Sequence, residues 1–349
     1  MSTISHSFIT GNKKEGVFKA VEKALKLANY KEYIKGPKVF VKVNLMSHQV
    51  VPGVCTSPWV VEAIVSKLKS DGFNIVVGDA DVATIKQLEK AAKNWGILDI
   101  CKKYGAKFVN LSKQETIDVE IKNGKVLKKV HIPKILREVN SIITVPVLKT
   151  HNITLLTCAL KHQWSCIPNF RHQYHTLTAH VIPEINKAVN VDFVLTDASI
   201  CLEGNGPRTG IPKIVNSIFA SDDLVAMDKA MCDFIGLDYK KVPYVENAEK
   251  IGLGTIRYKF VGDKVNKQKF IMPVLEEHPI VYAEMKLRNI PIISHLIFKT
   301  PLFKIPAWIA SRYNTVWYHN TRGKQYVAQI LKNPLYREEF IDLIRWQKK

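Results

Sequence analysis

Four stretches of this chain are apolar on both strand faces at once: KVFVKVNL (38–45), FNIVVGDA (73–80), SIITVPVL (141–148) and VDFVLTDASI (191–200). A strand with one wet face alternates apolar with polar residues, whereas a near-continuous run of Val, Ile, Leu and Phe needs apolar cover above and below. The segments between these runs supply that cover. KEGVFKAVEKALKLAN (14–29) brings Val17, Val21, Leu25 and Leu27 near one helical face. SPWVVEAIVSKLKSDG (57–72) opens with Ser57 as N-cap and Pro58 at the first helical position, and Gly72 closes it. A further helix is expected from about Val82 to Tyr104, interrupted near Gly96, before the strand AKFVNL. SDDLVAMDKAMCDFIG (221–236) is another capped helix, with Asp222 and Asp223 at its start and a glycine at its end. Such alternation predicts an α/β fold: an open, mostly parallel sheet with helices on both faces. One β-hairpin near 117–132 stands apart, because IDVEIKNGKVLKKVHI alternates about Asn123-Gly124, a two-residue turn signal.

The pattern loosens after about Gly254. This divides the 349 residues into an α/β core at 1–255, with lobes at about 1–150 and 151–255 as one option, and a basic, aromatic-rich region at 256–349. Residues 286–349 hold twelve Lys/Arg against three Asp/Glu and three of the six tryptophans, with no acidic side chain between Glu284 and Glu338. Such a segment can lie on an anionic membrane surface, with Trp308, Trp317 and Tyr318 at headgroup depth. It can equally wrap on the core with its lysines snorkelling outward. Pro301 and Pro306 interrupt a long amphipathic helix and favour the wrap.

The formal charge of +20 points to acidic partners: nucleic acid, an anionic membrane, or a phosphorylated or carboxylated substrate. A solvated lysine-rich surface is the plainer alternative. The charge spreads along the chain and accompanies no RNA- or DNA-binding motif, so no specific nucleic acid is expected. Six scattered cysteines without a C-x-x-C pair argue against a structural zinc site. The first residues, MSTISHSFITGNKK, lack an apolar signal core, and no eighteen-residue apolar run occurs, so the expected location is cytoplasmic with reduced thiols. The membrane-surface alternative places the chain peripherally on the inner face.

Open α/β sheets bind ligands beyond the carboxyl ends of their strands. Asn44, Asp79, Lys149, Thr150 and Asp197 are expected there, with Thr56 and Ser57 at a helix start that favours anions. VPVLKTHNITLLTCALKHQWSCIPNFRHQYHTLTAH (145–180) gathers five of the eleven histidines. Lys149 can clamp a carboxylate or phosphate, and His151 titrates near neutrality. Lys161 has apolar neighbours that lower an amine pKa if it is buried, which suits a base or anion clamp; otherwise it is a helix lysine snorkelling to water. His172 and His175 stand three residues apart and can bring two imidazoles to one metal ion, although such histidines are often solvated. EGNGP can bring backbone amides and Glu203 to a ligand, or be a tight turn, and Asp228 is placed to pair with a buried lysine. The lone GLG at 252–254 is no dinucleotide fingerprint.

In order, VKVNL, TSP (56–58), GDA (78–80), VPVLKTH, TCALKH (157–162), LEGNGPRTG (202–210), SDDLVAMDKA and IGLG resemble the domain of unknown function 362 family over about residues 38–255. Its K-x-N pattern implies Lys42 beside Asn44 among the binding residues. Many members carry a cysteine-rich ferredoxin-like segment; this chain lacks that run, so no iron–sulfur cluster is expected. More distantly, the order His151…Lys161…histidine is similar to the N-terminal region of the nickel-pincer lactate racemase family. That resemblance implies His151 as the proton-transfer residue, Lys161 as cofactor anchor and His172 or His175 as metal ligand. Those enzymes have a Gly/Ser-rich stretch where this chain has NITLLTCAL.

The expected function is an enzyme acting on a small anionic metabolite, with His151, Lys161 and Lys149 as catalytic residues in isomerase- or racemase-like proton transfer, unaided or with a metal or cofactor. The alternative is a non-catalytic cofactor- or metal-binding protein, or an electron-transfer partner. The oligomeric state is not legible from these patterns.

Overall fold

The computed structural model describes residues 1–11, 14–82, 86–167, 171–274, 279–288, 290–298, 300, 302 and 304–347. Its strands, in chain order, are β1 (Ser2–Phe8), β2 (Lys38–Val43), β3 (Asn74–Asp79), β4 (Lys107–Asn110), β5 (Thr116–Glu120), β6 (Lys129–Pro133), β7 (Ser141–Val145), β8 (Val147–His151), β9 (Leu155–Thr157), β10 (Phe193–Glu203), β11 (Ile211–Ser221) and β12 (Tyr258–Gly262). The main sheet runs β12-β1-β11-β10-β7-β2-β3-β4, with β8 and β9 branching from β10. The run from β10 to β4 is parallel throughout, β11 is antiparallel to both its neighbours, and β12 lies parallel to β1. This is the mostly parallel α/β sheet expected. β7 and β10 are hydrogen-bonded neighbours, so the sheet runs unbroken across residue 150.

Alternation along the strands shows why both faces need cover. Val39, Val41 and Val43 of β2, with Ile143 and Val145 of β7, face a core shared with the helices Lys14–Leu27 and Pro58–Ser70. Phe40, Val76 and Ile142 point the other way, into a core closed by the helix Thr178–Val189 and the β5–β6 hairpin. Val17, Val21 and Leu25 are buried as the helical pattern requires, while Leu27 is exposed.

Several local expectations change. The hairpin exists, but Glu120 pairs with Lys129, so eight residues rather than two connect its strands. The Glu184 carboxylate takes the amides of Lys125, Val126 and Leu127 at 2.5, 3.1 and 2.7 Å and so fixes the longer loop. Ser57 occupies the N-cap position without capping through its side chain. The stretch expected as one interrupted helix forms two, Leu88–Asn94 and Ile97–Tyr104, with Gly96 left-handed between them; residues 83–85 lie outside the described ones.

The C-terminal region both wraps and covers. β12 extends the sheet, and Ile330, Leu335, Tyr336, Phe340 and Leu343 enter the core beneath β2. Pro306 does not interrupt a helix: it sits in the first turn of Lys304–Asn320, where a missing N–H leaves no bond unmade. Pro301 and the Tyr318 side chain lie outside the described residues. No described helix is long and apolar enough to cross a membrane.

Candidate functional site: a cationic cavity at the strand ends

β3 and β4 extend the sheet to one side of β2, whereas β7 adds on the other. At such a reversal the loops beyond the carboxyl ends diverge and leave a crevice. Here the crevice is a cavity of about 260 Å³. Asn44 follows β2, Asp79 ends β3, and Pro146 follows β7; all three line it. After Pro146 the chain stays in the sheet and runs past Leu148, where the sequence had ended the strand. It continues as β8 beside the far half of β10, so Lys149, Thr150 and His151 are strand residues. For the same reason Asp197 lies within β10 rather than at its end.

Of the residues expected to form the site, the cavity wall joins Asn44, Asp79, Lys149, His151, Lys161, His172 and His175. The remaining ones face inward to the fold. Thr56 donates to the Val145 carbonyl at 2.8 Å and accepts the Asn44 amide at 2.9 Å. The amide of Ser57 donates to Asp197, whose other oxygen takes the Ser199 amide and hydroxyl. Thr150 donates to the Gly204 carbonyl at 2.7 Å, and Glu203 accepts Lys213 Nζ and the Ile271 amide. Lys42 forms a fully buried pair with Asp79 at 3.0 Å. Breaking such a pair costs roughly 3–5 kcal/mol.

Asp228 is the instructive case. It meets no lysine among the described residues; its carboxylate accepts the amides of Ala159 and Leu160 at 2.7 and 3.1 Å. These amides open the one-turn helix Ala159–His162, which carries Lys161 into the cavity. Burial pushes the Asp228 carboxyl up to about 7 against those two bonds.

Burial governs the site's electrostatics. It lowers Lys149 to about 7 and Lys161 well below an ordinary lysine, the latter helped by the Lys149 charge. Lys149 Nζ donates to the Val54 carbonyl at 2.5 Å and lies 3.3 Å from Met46 Sδ. His151, His162 and His172 are likewise held well below the usual histidine range, chiefly by burial. Lys161, His172 and His175 are half-buried and line the cavity.

His151 has a defined orientation. Its Nδ1 accepts the Ile153 amide at 3.0 Å and, more weakly, the Thr154 amide at 3.4 Å. The neutral ring therefore carries its proton on Nε2, and that N–H is a donor. In this tautomer the ring offers a donor at Nε2, and its acceptor nitrogen is already taken by the Ile153 amide.

Sequence reasoning missed four contributors. Arg171 donates to the Asp81 carbonyl at 2.5 Å and Arg208 to the Met46 carbonyl at 2.8 Å. Burial lowers both, Arg208 to about 10. Arg208 sits in the 204–210 turn, which lies so close to β8 that a Cβ on Gly206 would come within 2.2 Å of the Thr150 carbonyl oxygen. Glu284, from Pro279–Arg288, and Tyr313, from Lys304–Asn320, close the cavity from the C-terminal region. Arg208 had a signal, being inside a quoted motif, whereas Glu284 and Tyr313 had none.

Four basic side chains (Lys149, Lys161, Arg171 and Arg208) thus face two carboxylates, both already paired, Asp79 with Lys42 and Glu284 with Arg288. The balance favours an anion. Among the described residues a metal ion has one set of donors. Atoms of His172, His175 and Glu284 lie within 4.8 Å of one another. The two histidines share the 3-10 turn Arg171–Leu177, where residues three apart eclipse, and their rings stand 4.5 Å apart. Burial would raise Glu284, but its contacts with His175 and Arg288 hold it below the usual carboxylate value.

The profile described as Domain of unknown function (DUF362) matches residues 39–233, more than half of the chain. The chain belongs to this family. Asn44, Asp79, Lys149, His151, Lys161, His172, His175 and Arg208 all fall inside the DUF362 match, whereas Glu284 and Tyr313 fall outside it. A thylakoid-associated protein of Synechocystis sp. is 25% identical over 233 residues, covering 62% of this chain and 69% of that protein. The lactate racemase apoprotein from Thermoanaerobacterium thermosaccharolyticum aligns with a TM-score of 0.44 and 13% identity, over 67% of this chain. The chain spans 57% of that structure's length.

Proposed function

We propose that this DUF362 chain is a cytosolic enzyme that binds a small carboxylate- or phosphate-bearing metabolite and moves a proton on it, as an isomerase or racemase does. The observation that carries the reading is the meeting of low-pKa Lys161, a His151 locked as an Nε2–H donor, and Arg208 in one small cavity. Lys149 and Arg208 hold the anion. Lys161 Nζ, its pKa lowered by burial and by the Lys149 charge, takes a proton from the carbon beside the ligand's carbonyl or carboxylate. His151 Nε2–H donates to the oxygen on which charge develops. The Lys161 ammonium, whose three hydrogens exchange with solvent, then delivers a proton to the same carbon or to its neighbour.

The test is exchange in deuterated water, followed by proton NMR across a panel of small hydroxy acids, oxo acids and phosphorylated sugars. Solvent deuterium should enter at least one compound, and Lys161→Met should slow that entry by about 10²–10⁴-fold with the fold intact. Binding without exchange across the panel would leave only the non-catalytic alternative. Equal exchange by the variant would remove Lys161 from its role.

A second reading rests on the His172, His175 and Glu284 donors. Two imidazoles and a carboxylate suit a divalent transition metal, which when bound supplies Lewis-acid polarisation of a ligand oxygen. Arg288 opposes it, since Nε and Nη2 donate to Glu284 Oε1 at 3.0 and 2.6 Å. After dialysis against Ni²⁺ or Zn²⁺, elemental analysis should find about one ion per chain, lost in the His172→Ala/His175→Ala double variant. No retained ion would sink this reading and leave the proton-transfer proposal standing.

A further inference from the structure

We propose that the outer face of the helix Lys304–Asn320, together with the two short helices before it, docks on an anionic lipid bilayer, so that the roof of the cavity is its membrane-facing side. This stands on exposure and charge and does not depend on the reaction proposed above.

The helix has two unlike faces. Ala310, Tyr313 and Asn314, at positions i, i+3 and i+4, line the cavity. Ile305, Trp308, Ile309, Arg312 and Val316 share the opposite side and are exposed. A helix covering a site in water would present polar residues there; this one presents a tryptophan 61% exposed and an isoleucine 59% exposed. The preceding helices Pro279–Arg288 and Pro291–Phe298, with their connections, expose Leu287, Ile290, Ile292, Leu296 and Leu302 as well, Ile292 at 74%. Exposed apolar groups on three successive helices mark a contact surface rather than scattered surface leucines.

Charge selects the occupant. From residue 285 to residue 337 the chain carries nine Lys/Arg and no Asp or Glu. A second copy meeting this face symmetrically would bring cations against cations, since the Glu284 carboxylate of the first helix is already paired with Arg288. An anionic bilayer supplies what the face lacks: acyl chains for Ile305, Ile309 and Trp308, and phosphates for the cations around them. Arg312 already lies over the Trp308 ring at 5.5 Å, an arrangement that places a cation and an indole together at headgroup depth. Because the cavity-lining face belongs to the same helix, seating on lipid and access to the cavity are mechanically linked.

The experiment is co-sedimentation of the full-length protein with phosphatidylglycerol/phosphatidylcholine vesicles and with phosphatidylcholine vesicles alone. The wild type should pellet with the anionic vesicles at low salt and be released by high salt. Ile305→Asp/Ile309→Asp, which alters no cavity-lining residue, should weaken partitioning by roughly tenfold or more at an unchanged melting temperature. If that pair fails to fold, Trp308→Ser replaces it, changing one exposed side chain. No pelleting at low salt, equal pelleting of variant and wild type, or a concentration-dependent dimer abolished by the same substitutions without vesicle binding would each overturn the proposal.

Discussion

Replacing Lys149 with methionine is expected to stabilise the folded chain at pH 7 by about 2–4 kcal/mol while weakening small-anion binding by roughly tenfold or more. The lysine is 0% exposed, and burial lowers its pKa to about 7. An unfolded lysine holds its proton up to a pH of about 10.4. Between pH 7 and about 10.4 the unfolded chain therefore binds more protons than the folded one, and stability rises with pH across that window. Below pH 7 both states are protonated, the slope vanishes, and the full cost of burying the charge remains. Methionine has nearly the same length and carries no charge, and it would lie against Met46 Sδ, now 3.3 Å from Nζ. The Val54 carbonyl keeps a donor in Asn44 Nδ2 at 3.3 Å. Urea denaturation at pH 7 and pH 10 checks the claim: the wild type should gain stability at the higher pH, and the variant should lose most of that gain. A variant less stable than wild type at pH 7 would show that Lys149 is held by interactions stronger than its burial cost. A gain in stability bought with weaker binding is the pattern expected of a residue kept for a ligand.

The strand-end rule worked where strands end as their sequences suggest. Asn44 and Asp79 follow runs whose apolar character stops abruptly, and both reach the cavity. It misplaced Asp197 because β10 continues to Glu203, held by β8 and β11, and neither partner is visible in a local window. Thr56, Ser57 and Asp197 show a second limit. A hydroxyl and a carboxylate suited to a ligand are equally suited to a neighbouring backbone, and here the Val145 carbonyl takes the Thr56 hydroxyl while the Ser57 and Ser199 amides take the Asp197 carboxylate. His172 and His175 were legible as a pair because three residues along a tight turn bring side chains together. Glu284, more than a hundred residues further on, had no local pattern to announce it; only the tertiary fold brings it to them. The C-terminal region was legible in charge and composition, but not in its division between a segment that packs on the core and a helix that roofs the cavity.

Asp228→Ala should cost about 3 kcal/mol or more while leaving the cavity-lining side chains themselves intact. The carboxylate is fully buried and is the acceptor for the Ala159 and Leu160 amides. Alanine strands both donors, each worth about 1–3 kcal/mol when unpaired, in a space too closed for easy hydration. Asp228→Asn keeps one acceptor oxygen and turns an NH₂ toward the second amide, so its loss should be about half as large. The pH dependence has a defined sign. Burial raises the folded carboxyl to about 7, against about 3.9 in the unfolded chain. Between these values the folded state holds more protons, so this group makes stability fall as pH rises from about 4 to 7, and its slope should be missing from the alanine variant. Denaturation curves at pH 5 and pH 7 for the wild type and both variants measure it. The functional consequence is separable from the stability loss. The freed amides loosen the turn that carries Lys161, so in the asparagine variant, folded at 25 °C, proton exchange should slow more than anion binding weakens. If exchange and binding fall together, Asp228 supports the cavity as a whole; if exchange alone falls, it sets the position of the base.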